Sequence, residues 1–298
     1  MRVLNSRTLE FDDGTFKYGE HDYAIVSHRW VDQEVNYQEM LSPTPETKQK
    51  KGYQKIERAC QQAVDDKLEY LWIDTCCIDK SSSAELSEAI NSMYIWYLES
   101  AICYAYLDDV SDGIDAHTDP EFAASKWFTR GWTLQELVAP GTLVFYSEHW
   151  HEVGRKSTLS QPLSRITGIS VNVLTGAKSV LSMSIAQRMS WASKRETARP
   201  EDRAYSLMGL FHVNMPMLYG EGGEKAFVRL QEEIMADSDD ESIFAWTNGN
   251  AHANDLYGLL ATSPAWFKDS GSFVPYEDFE PREPFSKTNK GLRISFHL

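Results

Sequence analysis

Four short apolar runs that do not alternate with polar residues set the architecture of this chain. They are residues 23–27 (YAIVS), 70–74 (YLWID), 101–107 (AICYAYL) and 142–146 (TLVFY). A strand with one wet face alternates apolar and polar side chains. A strand that is apolar throughout must be covered on both faces, as the central strands of parallel sheets are. The intervening segments supply the cover. Over 48–66, Tyr53, Ile56, Cys60 and Ala63 fall on one helical stripe. After Ser82, which has capping-box spacing to Glu85, the residues Leu86, Ile90, Met93 and Tyr97 recur at intervals of three or four. Residues 108–120, polar with Gly113 and Pro120, read as a surface loop, and 128–138 as a short helix stopped by Pro140. This alternation predicts an α/β fold with a mainly parallel sheet flanked by helices. Ligands of such sheets bind beyond the carboxyl ends of the strands, which places 27–30 and 74–79 on the functional edge.

From residue 157 the pattern changes. Helical segments are predicted over 171–174, 185–192, 203–211 and 224–235, an acidic turn over 237–241 and a strand over 243–246. Beyond Pro264 the patterning weakens, and 293–298 (RISFHL) reads as a strand with nothing after it, as in a piece cut from a longer protein. The expected organisation is an α/β core over 1–155, a helical C-terminal extension over 156–235 and a less regular segment over 236–298.

The formal net charge is -15, from 44 acidic and 29 basic side chains. Such a surface repels nucleic acid and anionic membranes over most of its area, yet leaves room for a small anion held by one or two arginines. No apolar run approaches the roughly 20 residues that span a bilayer, and the first residues lack the apolar stretch of a secretory signal. Cys60, Cys76, Cys77 and Cys103 match neither a disulfide framework nor a paired zinc motif. They read as reduced thiols of a cytoplasmic protein, with no metal expected.

Seven blocks then resemble one family in order: YAIVSHRW (23–30), LWIDTCCID (71–79), SEAINSMY (87–94), WFTRGWTLQEL (127–137), RMSW (188–191), RPEDRAY (199–205) and LYGEG (218–222). They are similar to the motifs of fungal heterokaryon-incompatibility (HET) domains. The resemblance implies a protein of non-self recognition whose activation triggers programmed cell death, with receptor modules in the full-length protein and self-association on activation. A second resemblance is to TIR domains, which also open with a strand ending in Ser and Arg and have a second strand ending in Asp. They later carry a Trp-Cys-x-x-Glu-Leu helix; WTLQEL at 132–137 is similar, with Thr133 in the Cys position. This implies a TIR/flavodoxin-like core, NAD+ as substrate with no further cofactor, and Glu136 as the catalytic carboxylate.

The chemistry is self-consistent. Nicotinamide leaves its ribose as a neutral molecule, so no general acid is needed, and one carboxylate can stabilise an oxocarbenium-like transition state; ordinary glycosidases need two. Trp132 and Glu136 are four apart and share a helix face, which gives nicotinamide a stacking surface. Arg29 and Arg130 are expected to balance the diphosphate, Ser27 and Asp74 to bind ribose hydroxyls, and Trp30 to line the pocket. Other readings stand beside this one. Glu136 is otherwise a solvated or ion-paired helix residue. Cys76 or Cys77 with His28 and Asp74 is the raw material of a thiol hydrolase. His149 and His151 are spaced as a ligand pair but lack further ligands. Trp127, Trp132 and Trp191 are candidates for core filling. Arg188, Arg195, Arg199, Glu201 and Asp202 are either an intermolecular surface or an intramolecular network. The alternative function is a non-catalytic death-signalling module that oligomerises.

Overall fold

A computed structural model describes residues 1–298 apart from 253, 276–283, 290 and 296–298. The chain forms two compact units, Met1–Ala177 and Lys178–Leu298.

The first unit is a six-stranded sheet with helices. In chain order its elements are β1 (Leu4–Asn5), β2 (Tyr23–His28), α1 (Tyr37–Leu41), α2 (Pro45–Gln49), α3 (Lys51–Asp65), β3 (Tyr70–Trp72), α4 (Ser83–Leu98), β4 (Ile102–Tyr106), α5 (Pro120–Ala124), a 3-10 turn (Lys126–Thr129), α6 (Thr133–Val138), β5 (Leu143–Tyr146), β6 (Glu152–Arg155), α7 (Ser160–Thr167) and α8 (Val171–Leu174). The strand order is β1-β3-β2-β4-β5-β6. β2 to β5, the four apolar runs, are mutually parallel, while β1 and β6 close the edges antiparallel. Every residue of β2, β3 and β5 is buried, whereas β6 is half-buried to exposed and begins and ends on charged residues. A short, charged edge strand does not invite further pairing. The order runs outward in both directions from β2, so the chain switches sides between β2 and β4. Their carboxyl ends border the crevice where such sheets take ligands.

The predicted stripes face inward. Tyr53, Ile56, Cys60 and Ala63 of α3 are buried, as are Ile90, Met93 and Tyr97 of α4, while Leu86 is half-buried. Ser82 caps α4 by accepting from the Glu85 backbone N–H. The capping box is incomplete, because the Glu85 carboxylate turns to Arg2 (2.7 Å) and to the Asp79 N–H (2.8 Å) instead. The predicted helix over 128–138 is two pieces, the 3-10 turn and α6, joined through Arg130–Trp132. Gly52 is where α3 meets the loop after β2: a Cβ there would lie 2.6 Å from the Gln33 carbonyl. Lys55 holds the same loop through Glu34, at 2.6 and 2.7 Å.

The second unit contains a 3-10 turn (Val180–Ser182), α9 (Ile185–Ala192), α10 (Asp202–Tyr205), α11 (Met208–Phe211), α12 (Gly223–Asp237), 3-10 turns at Glu241–Phe244 and Pro264–Phe267, and a hairpin of β7 (Ser286–Thr288) and β8 (Gly291–Arg293). Of the strand expected over 243–246, Ile243 and Phe244 end a 3-10 turn and 245–246 are in no strand. Asp240 caps that turn by accepting from Ser242 N, and that local bond competes with a ladder. Of the terminal strand expected over 293–298, only Arg293 is in a strand, as the last residue of β8; 294–295 are in none, and 296–298 lie outside the described residues. RPEDRAY and LYGEG form a clasp. Glu201 accepts from the N–H groups of Gly220 (3.0 Å) and Gly222 (3.1 Å). The two N–H groups converge because both glycines hold a positive φ, 102° and 88°. Tyr219 donates to Asp202, Tyr205 donates to Glu221, and the Arg199 guanidinium lies 4.3 Å from the Tyr219 ring centroid. Arg188 donates to the Leu210 carbonyl and covers Phe211. Among the described residues no helix is long and apolar enough to cross a membrane.

Candidate functional site

Glu136 sits on α6, which packs against β2 and α4. It is only 7% exposed, although a solvated helix glutamate would stand in water. Its Oε2 accepts from Ser27 Oγ at 2.5 Å, and Ser27 Oγ also accepts from Trp127 Nε1 at 2.9 Å. An indole N–H only donates, so one lone pair of Ser27 Oγ takes the Trp127 proton and its own hydroxyl proton is left for Glu136 Oε2. Trp127 and Ser27 are fully buried, and Trp127 is clamped edge-to-face by Phe128 and Phe145. Tyr97 of α4 donates to the Val26 carbonyl at 2.9 Å. Its phenol is held far above the usual range, first by burial and next by the negative charge of Glu136. The Cys103 thiol is raised by the same two causes in the same order.

The far end of α6 is pinned by Lys156, which follows β6. Its ammonium donates to the Leu137 carbonyl at 3.2 Å and to that of Pro140. Burial lowers its pKa to about 8. A cation on the last carbonyls of a helix complements the helix dipole, and here it fixes the orientation of the turn that bears Glu136.

A second polar group lies at the ends of β2 and β3. Trp30 Nε1 donates to Asp74 Oδ2 at 2.8 Å, and Lys80 Nζ stands 3.4 Å from the centroid of the Trp30 ring and 3.9 Å from Asp74 Oδ2. His28 ends β2 with its side chain fully enclosed and Nε2 3.6 Å from Asp74 Oδ1. Burial, and then the charges of Lys55 and Lys80, hold this imidazole well below its usual pKa, so it is neutral. Arg29 is bound by both oxygens of Asp108, at 3.2 and 2.8 Å, with Asp109 at 3.8 Å. It is thus a strut between the loops after β2 and β4. Arg130 and Trp132 are half-buried on the segment that leads into α6, with Trp132 at its N-cap.

The residues singled out from the sequence thus fall into two pairs, Ser27 with Glu136 and Trp30 with Asp74, while Arg29 is engaged by aspartates. Sequence reasoning misses Trp127, Tyr97, Lys80 and Lys156 as partners. Trp127 reads as core, and it is core; its ring nitrogen gives it a second role. The hint is its place at the head of the WFTRGWTLQEL block. Nothing in the sequence ties Lys156 to α6, because it arrives from the neighbouring antiparallel edge.

The other candidate chemistries fare poorly on geometry. Cys76 and Cys77 are buried, and burial drives the Cys76 thiol well above its usual pKa, the opposite of an activated thiolate. His149 and His151 both turn to Asp112, at 3.1 Å each, and no metal-binding cluster occurs among the described residues.

Comparison with known proteins accounts for these blocks. Residues 23–121 match the family model described as heterokaryon incompatibility protein (HET), and residues 225–264 match a domain of unknown function (DUF8212). The chain is 46% identical over 267 residues to the vegetative incompatibility protein HET-E-1 of Podospora anserina. That alignment takes in 86% of this chain and 20% of the relative, so the chain spans about a fifth of that protein's length. No solved structure matches. The chain belongs to the heterokaryon-incompatibility (HET) domain proteins.

Proposed function

We propose that this chain is the effector domain of a fungal non-self-recognition system and that it acts by hydrolysing NAD+. The relative's name speaks of vegetative incompatibility, and the recognition role is carried over from that protein. The enzymatic reading rests on one observation: a nearly buried carboxylate, Glu136, held by a serine hydroxyl that itself accepts from a buried indole. Burying a carboxylate is costly unless its bonds are supplied, and an apolar residue at 136 would pack against β2 at no such cost. The parallel order of β2 to β5, with the first strand flanked by the second and third, is that of flavodoxin-like folds and supports the TIR-like reading of the core.

In the reaction proposed, the C1′–N bond to nicotinamide breaks and its electron pair returns to the pyridinium ring, which leaves neutral. Glu136 stabilises the positive charge that develops on the ribose. Water then adds to C1′ and releases a proton, giving ADP-ribose. Ser27 and Trp127 orient Glu136; Trp132, one turn before it, offers a stacking face, and Arg130, on the segment that leads into α6, supplies positive charge for the diphosphate. Arg29, already paired with Asp108, is a structural strut in this scheme rather than a diphosphate ligand.

The test is NAD+ consumption by purified protein over a range of concentrations, with Glu136→Gln beside it. Turnover that rises faster than linearly with concentration and vanishes in the variant supports an assembly-dependent hydrolase. Absence of turnover even in enforced oligomers would instead favour a non-catalytic module that signals by self-association.

A further inference from the structure

The group at the ends of β2 and β3 has more hydrogen-bonding capacity than the protein uses. Lys80 Nζ is buried and donates to no acceptor among the described residues. His28 has its side chain fully enclosed, and neither ring nitrogen has a hydrogen-bond partner among them. Asp74 gives one oxygen to Trp30 and turns the other toward His28 at 3.6 Å, beyond hydrogen-bonding distance. Unpaired buried polar groups cost stability. Two such groups, converging beside an aspartate with one oxygen to spare at the functional edge of the sheet, are better explained by a ligand than by packing.

The inventory of donors and acceptors selects the ligand. Lys80 offers only donors, Asp74 only acceptors, and a neutral imidazole one of each. A phosphate or carboxylate would satisfy Lys80 but meet the Asp74 charge; an ammonium would do the reverse. A hydroxyl donates and accepts at once, so two adjacent hydroxyls satisfy Asp74 and Lys80 together. Trp30, with 47% of its surface exposed, presents a ring face beside them. We propose that Lys80, Asp74 and His28 form a diol-binding subsite that takes a ribose of the dinucleotide, the one distal to the bond that is cleaved. The choice of ribose rests on the NAD+ reading above; the preference for a diol does not. Access requires the Trp30 ring to turn, which exchanges one hydrogen bond and one cation–π contact for those of the sugar.

The experiment is equilibrium binding of adenosine and of 2′,3′-dideoxyadenosine, followed by ligand-detected NMR, to the full chain, to Lys80→Met, to Asp74→Asn and to Glu136→Gln. Thermal melts establish that each variant is folded. The full chain and Glu136→Gln are expected to bind adenosine at least tenfold more tightly than the dideoxy analogue, and Lys80→Met and Asp74→Asn to lose that preference. In turnover, Lys80→Met should raise the KM for NAD+ at least tenfold, with a smaller change in kcat. Equal binding of the two nucleosides, no binding of adenosine, or a preference that survives in a folded Lys80→Met overturns the subsite. Displacement of adenosine by millimolar inorganic phosphate would make it an anion site instead and also overturn the proposal. Lys80-dependent adenosine binding without NAD+ turnover removes the hydrolase and keeps the subsite; turnover with an unchanged KM in Lys80→Met does the opposite.

Discussion

Glu136 in the first unit and Glu201 in the second are both buried carboxylates within the motif blocks of the chain, yet they are held in opposite ways. Glu201 is neutralised by backbone. Its own N–H and those of Gly220 and Gly222 lower its pKa, and Arg199 adds a smaller push in the same direction. Fixed N–H groups leave such a carboxylate nothing to do but hold a loop. Glu136 instead accepts from a side-chain hydroxyl at the end of a parallel strand and lies near two groups, Tyr97 and Cys103, that burial first and its charge second keep protonated. The backbone-held acid is a clasp, and the hydroxyl-held acid is the one assigned to chemistry in the function proposed. A motif block therefore does not by itself mark a reactive residue.

The sharpest way to break this contrast is to neutralise each acid. Glu136→Gln, which keeps the shape of the side chain, should lower NAD+ turnover by at least a hundredfold while the melting temperature stays within a few degrees. Glu201→Ala should leave two N–H groups without their acceptor and cost about 1–3 kcal/mol, read as a lower urea midpoint. If Glu201→Ala abolished turnover without loss of stability, the distinction between clasp and chemistry would fail.

Ser27→Ala probes the relay. It removes the donor to Glu136 and the acceptor of Trp127 Nε1 together, leaving two buried groups short of a bond. A loss of about 1–3 kcal/mol is expected, with turnover down roughly tenfold to a hundredfold, in line with removal of a group that orients a general catalyst. Unchanged stability and turnover would show that the contact between Ser27 and Glu136 has no energetic weight. Gly223→Ala tests the clasp from its other side, since a Cβ there would lie 2.7 Å from the Pro200 carbonyl. Destabilisation without altered kinetics is expected from melts and assays run in parallel.

The smallest effect is one of pH. His28 is neutral in the fold because burial and the charges of Lys55 and Lys80 depress its pKa, although the Asp74 carboxylate lies 3.6 Å from Nε2. The unfolded chain takes up a proton below about 6.5 and the folded one does not. Stability should therefore fall as pH drops below about 6.5, and His28→Phe should flatten that limb in urea titrations at stepped pH. A limb of equal slope in the variant would assign the loss to other groups.

Much of the first unit is legible in the sequence, and for a physical reason. Short apolar runs without alternation, set between helical stripes, read as central strands, so β2 to β5 and their parallel pairing, though not their order, follow from YAIVS, YLWID, AICYAYL and TLVFY. The stripe on α3 is equally plain. Local competitions are harder to read: 243–244 belong to a 3-10 turn that Asp240 caps, and 128–138 breaks into two pieces at Arg130–Trp132. For the candidate site residues, the sequence offers identities but not partners. The pairing of Ser27 with Glu136 spans more than a hundred residues, and no periodicity encodes it. The capture of Arg29 by Asp108 is invisible because the loop after β4 reads only as polar. The unused valences of Lys80 and His28 are a property of the assembled edge alone.

Whether Glu136 is reactive is the central question, and one assay addresses it most directly. NAD+ loss and ADP-ribose formation would be followed with the full chain, Glu136→Gln and Glu201→Gln, each at low and high protein concentration. Turnover is predicted to climb faster than linearly with concentration in the first and third proteins and to be absent from the second. Turnover retained by a folded Glu136→Gln protein would contradict a catalytic Glu136.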